Sequence, residues 1–397
     1  MEEKYFAAAN SGEGFVSYFG EVFREQDFEH IYIIKGGPGT GKSYFMRQVA
    51  KAAERQGEKV VYWYCSSDPD SLDGITVGKR FAMVDGTSPH DVSCKTPGAV
   101  ENIVDLGVFW SVPSLSQMRR EIEALNSEKS GAYRLSYRFL SAYSQLSDAA
   151  QDTVAPFVDI KMLEDEAHRL LADLSDGDGY EISTALCDSV GMKGRVRFDT
   201  YERFAQRTVK ITDFFETAHI LLSAVACEAR RRNMKTRVSY NPIQPKRIDA
   251  LCVEGNLAIC ISDEVSAINM KDFVKSGFNE SEAARILDLR SVIFSEAVSA
   301  LDRVRQVHFK IEEIYQYPNP TIDFSNDDGV MSNLHLELRL LFEQSAFPES
   351  LFENSELLSD AFVNNPEAFL TYVDNEVWGK SMNTVIIRYM TESDEEF

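Results

Sequence analysis

The residues best suited to chemistry stand close together. The run Gly36, Gly37, Pro38, Gly39, Thr40, Gly41, Lys42, Ser43, Tyr44 contains the pattern Gly-x-x-x-x-Gly-Lys-Ser, and its residue types suit a nucleoside triphosphate. Glycines admit backbone conformations closed to other residues and bring N–H groups against phosphate oxygens. The Lys42 ammonium would hold the β- and γ-phosphates, and the Ser43 hydroxyl would ligate Mg²⁺. A helix starting at this point adds its positive N-terminal end. ATP and Mg²⁺ are the expected cofactors.

A second group follows. Phe81-Ala82-Met83-Val84-Asp85 is an apolar run ending in an acid, and Asp85 lies 43 residues beyond Lys42 (85 − 42). A carboxylate so placed would share the Mg²⁺ with Ser43. No Glu follows Asp85, so the usual water-activating glutamate is missing. Ser88 stands where a DxxG motif needs glycine, and no NKxD occurs, which argues against a GTPase. The catalytic candidates are Lys42, Asp85, His90 and Asp68, with Asp70 and Asp73 in the same stretch as Asp68. Each has a plainer reading: Asp68, Asp70 and Asp73 as turn and cap residues, His90 as a polar loop residue.

These residues need elements to position them. Ile31–Ile34 reads as a buried strand ahead of the loop, and Phe45, Met46, Val49, Ala52 and Ala53 as the apolar face of a helix after it. Lys59–Cys65 is a second strand, apolar enough for the middle of a parallel sheet. Ser66–Gly74 then sits at its carboxyl end, where open α/β sheets take ligands. Upstream, Phe15, Phe19, Val22 and Phe23 predict a helix over about Gly14–Arg24, after a turn at Asn10–Gly14. From Pro113 to about Leu174 the pattern is helical. A lid there would carry Arg119, Arg120, Arg134 and Arg138 to the phosphates, although solvated or glutamate-paired arginines are the plainer expectation.

The totals set limits. With 397 residues, two or three domains are expected, and 44% hydrophobic with 26% charged residues is ordinary for a globular chain. A net charge of −22 argues against non-specific nucleic-acid binding. The six cysteines show no metal-site spacing and read as reduced thiols of a cytoplasmic protein. No apolar run approaches the roughly 20 residues that span a membrane.

The chain also repeats itself. Arg207–Asp213 lies over His30–Gly36, Ser223–Tyr240 over Met46–Trp63, and Asp249 over Asp73 at an offset of 176 (249 − 73). Leu257–Cys260 matches Phe81–Val84, and Ile286–Leu289 is set against Ile103–Leu106. The second copy lacks the chemistry: Asp213-Phe214-Phe215-Glu216-Thr217-Ala218-His219 replaces the glycines and the lysine. Arg230–Arg232 ends the matching helix, and Asp263-Glu264 reads as a turn. The expected division is a competent half at 1–194 with a helical insertion at about 113–175, a degenerate half at 195–329, and a small α/β region at 330–397. That last region carries helical patterns at Leu334–Phe342 and Ala361–Tyr372, a strand at Asn383–Met390 and an acidic tail.

Four segments, Phe6–Val16, Lys35–Ser43, Cys65–Gly74 and Val84–His90, resemble an uncharacterised bacterial family of tandem P-loop ATPases. The resemblance is specific over about residues 5–110 and fades toward 325. It implies an α/β fold of two P-loop NTPase halves, each a parallel sheet flanked by helices, and ATP binding at the first. In that family the second half usually keeps its own phosphate loop, and this chain departs there. The resemblance supplies no substrate. The leading expectation is a Mg²⁺-dependent ATP hydrolase that couples nucleotide state to a conformational change or an unidentified protein partner. A nucleotide sensor or scaffold with little turnover, and a small-molecule kinase, are the alternatives.

Overall fold

The computed structural model describes residues 2–316 except Asp91, Asp263 and Val265, together with the strand backbones of residues 334–336 and 384–389. It is a mixed α/β protein made of two sheet–helix halves.

The first half runs β1 (Glu3–Phe6), a hairpin of β2 (Ala8–Ser11) and β3 (Gly14–Ser17), α1 (Phe19–Val22), β4 (His30–Lys35), α2 (Lys42–Arg55), β5 (Val60–Tyr64), β6 (Leu72–Val77), β7 (Phe81–Asp85), β8 (Glu101–Asp105), α3 (Val112–Gln117) and the long α4 (Arg119–Val154). After α5 (Ile160–Leu171), the second half runs β9 (Ile182–Thr184), a hairpin of β10 (Asp188–Gly191) and β11 (Gly194–Arg197), α6 (Thr200–Phe204), β12 (Arg207–Thr212), α7 (Ala218–Arg231), β13 (Thr236–Tyr240), β14 (Ile248–Val253), β15 (Leu257–Ser262), β16 (Ile268–Asn269) and the long α8 (Glu280–Gln316). Two further strands, β17 (Leu334–Leu336) and β18 (Thr384–Tyr389), join the first sheet.

Both sheets use one plan. The first is ordered β1-β5-β6-β7-β4-β8 and the second β9-β13-β14-β15-β12-β16, with the first continuing into β18 and β17. In each, the third strand of the order is antiparallel to both neighbours and the other contacts of the six are parallel. The ladders even break at the same place, between Trp63 and Tyr64 and between Ser239 and Tyr240.

Alternation along each strand makes the layers. Tyr32 and Ile34 face α2, whose Phe45, Met46, Val49, Ala50 and Ala53 cover that side of the first sheet. Ile31 and Ile33 face the other way, into a cluster that also takes Ala250, Ala258 and Cys260 of the second sheet. The outer face of the second sheet is covered by α7 and α5 through Leu221, Leu222, Val225, Leu163 and Leu170. Across this assembly α4 and α8 lie against each other, with Leu140, Ala297 and Leu301 buried between them. Among the described residues no helix is long and apolar enough to cross a membrane.

Several sequence expectations need correcting. The helix over Gly14–Arg24 is mostly a hairpin and a four-residue helix, because Ala8–Ser11 pairs with Gly14–Ser17 and Gly14 turns the chain at φ 104°. The sheet is not parallel throughout: β6 runs against its neighbours, and buried on both faces it has no alternation to betray its direction. The boundary at 194/195 falls inside the β10–β11 ladder, which pairs Asp188 with Arg197, so the second half's strands begin at Ile182. The insertion at 113–175 is two things, since α5 packs in the second half's core. The 330–397 region contributes β18 to the open edge of β8, and Leu334–Leu336 is a strand rather than helix because it pairs with β18. The expected helix at Ala361–Tyr372 and the tail lie outside the described residues.

Candidate functional site

The carboxyl end of β4 delivers the glycine loop, and α2 begins at Lys42. Gly39 and Gly41 adopt φ of 70° and 77°, left-handed values that side chains disfavour. A Cβ on Gly36 would lie 2.6 Å from Thr40 Oγ1. Thr40 Oγ1 donates to the Gly37 carbonyl at 2.8 Å and ties the loop across itself. Lys42 Nζ donates back to the carbonyls of Gly36 (3.1 Å) and Gly37 (2.9 Å) and lies 3.7 Å from Asp85 Oδ2. No side chain caps the start of α2, so its first N–H groups lack an internal acceptor.

Asp85 reaches this point because β7 pairs directly with β4, placing Asp85 opposite Ile34. Its Oδ1 accepts from the Thr87 amide (2.8 Å) and hydroxyl (2.5 Å). Ser43 Oγ accepts from the Leu72 amide at 2.9 Å, fastening α2 to β6. Tyr44 packs against the core beneath α2, and Pro38 stays in the loop turn.

His90 and Asp73 form a pair that the sequence left open. His90 Nε2 lies 3.3 Å from Asp73 Oδ1, with both side chains buried, and the imidazole stacks on Phe19 at 4.5 Å. Burial works against the imidazolium, but the Asp73 carboxylate outweighs it and holds the His90 pKa above its ordinary value. Asp85 adds to this and Lys42 opposes it. His90 Nδ1 and Asp73 Oδ2 are buried without a hydrogen-bond partner.

Asp68 and Asp70 are not brought to this place. Asp68 accepts from the Asp70 amide and the Ser71 hydroxyl within its own turn, and Asp70 pairs with Lys193. Asp73 stands apart from them because it begins inside β6 rather than in the turn. Arg134 and Arg138 are exposed and Arg119 pairs with Glu123 at 2.8 Å, so none of the three serves the loop. Arg231 and Arg232 are engaged by Glu228 and Asp176 within the second half, and Arg230 lies over Tyr180.

The long helices supply what sequence reading missed. Tyr315 of α8 and Trp110 close over Gly37, where an added Cβ would meet them at 3.1 and 3.2 Å. Tyr133 of α4 donates to Ser67 Oγ (3.1 Å), and Tyr137 to Asn10 Oδ1 (3.1 Å). Asn10, fully buried, bonds onward to Ser67 and to the Val190 carbonyl of the second half. The hairpin thus anchors α4 rather than reaching the loop. Lys129, one turn before Tyr133, is half-buried. The only available signal was the Lys129–Tyr133 spacing of four.

The corresponding loop of the second half is differently built. Six residues separate β4 from α2, but only five, Asp213–Thr217, separate β12 from α7. The one-residue loss changes the offset from 177 to 176, so Ser223–Tyr240 is one position off the register read from sequence. Val238 then answers to Tyr62, and His219 to Ser43 rather than Lys42. Similarly, the partner of β8 is β16, not Ile286–Leu289, which lies in α8. Asp213 Oδ1 accepts from the Ala218 amide (2.8 Å) and Oδ2 from the Glu216 amide (2.9 Å), so a carboxylate already occupies the start of α7. Burial, then the neighbouring Glu216, raises the Asp213 pKa. Glu216 is gripped by Arg247 (3.0 Å) and by Arg290 of α8.

What this arrangement can do differs between halves. The first loop presents glycines, an uncapped helix start and a lysine to an anion. The second presents carboxylates to its own amides and arginines. Among the described residues no group of three or more His, Cys, Asp or Glu side chains is arranged to hold a metal ion unaided.

A family model described as Nephrocystin 3, N-terminal, matches residues 17–76. That segment runs from the end of β3 through the glycine loop to β6. No curated protein and no solved structure shows a significant match to the chain.

Proposed function

We propose that the first half binds a nucleoside triphosphate, ATP with Mg²⁺, as a P-loop NTPase, and that the protein is a hydrolase coupling nucleotide state to the arrangement of α4 and α8. The observation that carries this reading is the uncapped start of α2 under a loop of four glycines, with Lys42 Nζ folded onto two loop carbonyls and 3.7 Å from Asp85. Ser43 and Asp85 would hold Mg²⁺, and the phosphates and water would complete its shell, as is usual for this ion. The Asp73–His90 pair supports a role in orienting the attacking water. Asp68, engaged in its turn, has no part in the reading.

A sensor with little turnover is the second reading. It is favoured by the second half, where Asp213 and Glu216 satisfy the loop that a second nucleotide would need. Calorimetry with Mg²⁺-ATP, paired with phosphate release, on wild type and Lys42→Ala tests both. Binding and release that are both lost in the variant support the hydrolase. Binding without release supports the sensor, unless the phosphate appears in an added small-molecule acceptor, which would make it a kinase. Binding that survives Lys42→Ala refutes the site.

A further inference from the structure

The two long helices can be laid over one another along part of their length. Aligning their first residues, Arg119 and Glu280, gives an offset of 161 (280 − 119). That offset matches Ser136 with Ala297, Leu140 with Leu301 and Ala150 with Ile311, and all six are buried to the last few per cent. It also matches Lys129 with Arg290. In this alignment each helix carries a cation at the same position.

Arg290 shows what that position reaches. Its NH1 donates to Glu216 Oε1 in the second loop and to Ser147 Oγ at 3.1 Å, and its guanidinium lies over Tyr143 at 4.8 Å. Glu216, at φ 66°, stands in the stretch that replaces the glycines. The second half thus pairs a helix cation with an anion built into its loop. In the first half the loop offers no acid, only glycines, Pro38 and Thr40, and Lys129 forms no ion pair or hydrogen bond with any described residue. It lies close enough to Lys42, the first residue of α2, to feel its charge. Tyr133, on the same face one turn on, bonds Ser67, while from α8 Tyr315 packs on Gly37 and Glu312 lies one turn before it. Glu312 is itself engaged by His308 Nε2 at 3.4 Å. Burial, opposed by Glu312, together with the nearby Lys42 ammonium, lowers the Lys129 pKa, as befits two cations facing a common space.

We propose that Lys129 is a binding residue for the terminal phosphate, occupying toward the nucleotide the place that Arg290 occupies toward Glu216. This rests on the triphosphate reading of the loop and deepens it: α4 distinguishes a triphosphate from a diphosphate, while the second half is held permanently in the anion-filled arrangement. Lys42 binds the nucleotide in either state; Lys129 reports the γ-phosphate to the α4–α8 pair.

The test is calorimetry of the full chain with Mg²⁺-ATP and with Mg²⁺-ADP, on wild type, Lys129→Ala, Lys129→Met, Lys129→Arg and Lys42→Ala, with thermal melts to establish that each variant is folded. Loss of one charge-assisted bond should weaken Mg²⁺-ATP about tenfold or more in Lys129→Ala and Lys129→Met and leave Mg²⁺-ADP within about twofold. Lys129→Arg should retain most of the preference. The methionine keeps the apolar stem, so the result does not hinge on packing. Equal weakening of both nucleotides, or of neither, overturns the proposal. If Lys42→Ala abolishes binding while the Lys129 variants match wild type, only the Lys129 assignment fails. If wild type binds neither nucleotide, or Lys42→Ala binds both, the loop reading fails and this proposal falls with it.

Discussion

Lys42 holds its loop through two neutral acceptors, the carbonyls of Gly36 and Gly37. A triphosphate would offer charged acceptors, and such bonds are roughly twice as strong. The exchange is favourable only if the ammonium is present, so Lys42→Ala should weaken Mg²⁺-ATP on the order of 100-fold, read by calorimetry. A stability prediction belongs at the same scale. Gly86 follows Asp85, and a Cβ there would run into Ile33 Cγ2 and crowd Lys35 Nζ at 3.0 Å. Gly86→Ala should therefore cost about 1–3 kcal/mol in urea unfolding, the range for overpacking a filled core. The same substitution at Gly57, whose added Cβ meets nothing within 4 Å, tests backbone strain alone, since its φ is 81°.

At the scale of elements, the two strand–loop–helix units differ by one residue of loop length and by the acids of the second. In the second, Asp213 caps α7 and Glu216 joins Arg247 to Arg290. Replacing Glu216 by Gln leaves two largely buried guanidiniums without their shared carboxylate. The expected loss is on the order of 3 kcal/mol of unfolding free energy. His219, at the Ser43 position of this unit, offers a pH test. Burial, then the Arg247 cation, lowers its pKa from 6.5 to about 4, against a smaller opposing effect of Asp148. The unfolded chain thus takes up this proton at higher pH than the folded one. The His219 contribution is complete above about pH 6.5 and is lost as pH falls toward 4. His219→Gln should flatten the stability–pH curve in that window; an unchanged slope would refute the assignment.

Over the whole molecule, α4 and α8 are the only described helices long enough to serve both halves, each about 54 Å at 1.5 Å per residue. They run in opposite directions: Glu128 meets Arg303, while Ser147 meets Arg290. Tyr315 of α8 packs on Gly37 of the glycine loop, Tyr133 of α4 bonds Ser67, and Lys129 and Glu312 lie within electrostatic reach of each other. Ser147 and Asp148 of α4, with Arg290 of α8, lie at the acid-filled loop. Nucleotide binding should therefore act on one end of the pair. Mg²⁺-ATP is expected to raise hydrogen-exchange protection around residues 129–133 and 312–315, with little change around 143–148 and 290, and with no effect in Lys42→Ala. At a ligand concentration 100 times Kd, the stabilisation should be about 2.7 kcal/mol.

The glycine loop was legible because its chemistry is local. Gly36 to Ser43 contact one another within eight residues, and glycine, lysine and serine are each called for by backbone or charge. Asp85 was legible for a related reason: a parallel strand beside β4 has one end at which an acid meets the loop. The order of elements in the repeat was also readable, since apolar spacing survives divergence. What the sequence did not determine is pairing at long range. The reversed direction of β6 leaves no mark on a strand buried on both faces, and the one-residue slip over Ser223–Tyr240 comes from the shorter loop before α7. The end of the β2–β3 hairpin imitates a helix because Phe15 of β3 keeps helical spacing with Phe19 and Val22 of α1. Asp73 and Asp68 look alike in sequence, and only strand β6 turns one toward His90 while the turn keeps the other. Lys129 acquires its meaning from a helix packed across both halves and from its equivalence to Arg290, a relation between residues 161 positions apart (290 − 129) that only the folded chain brings into view.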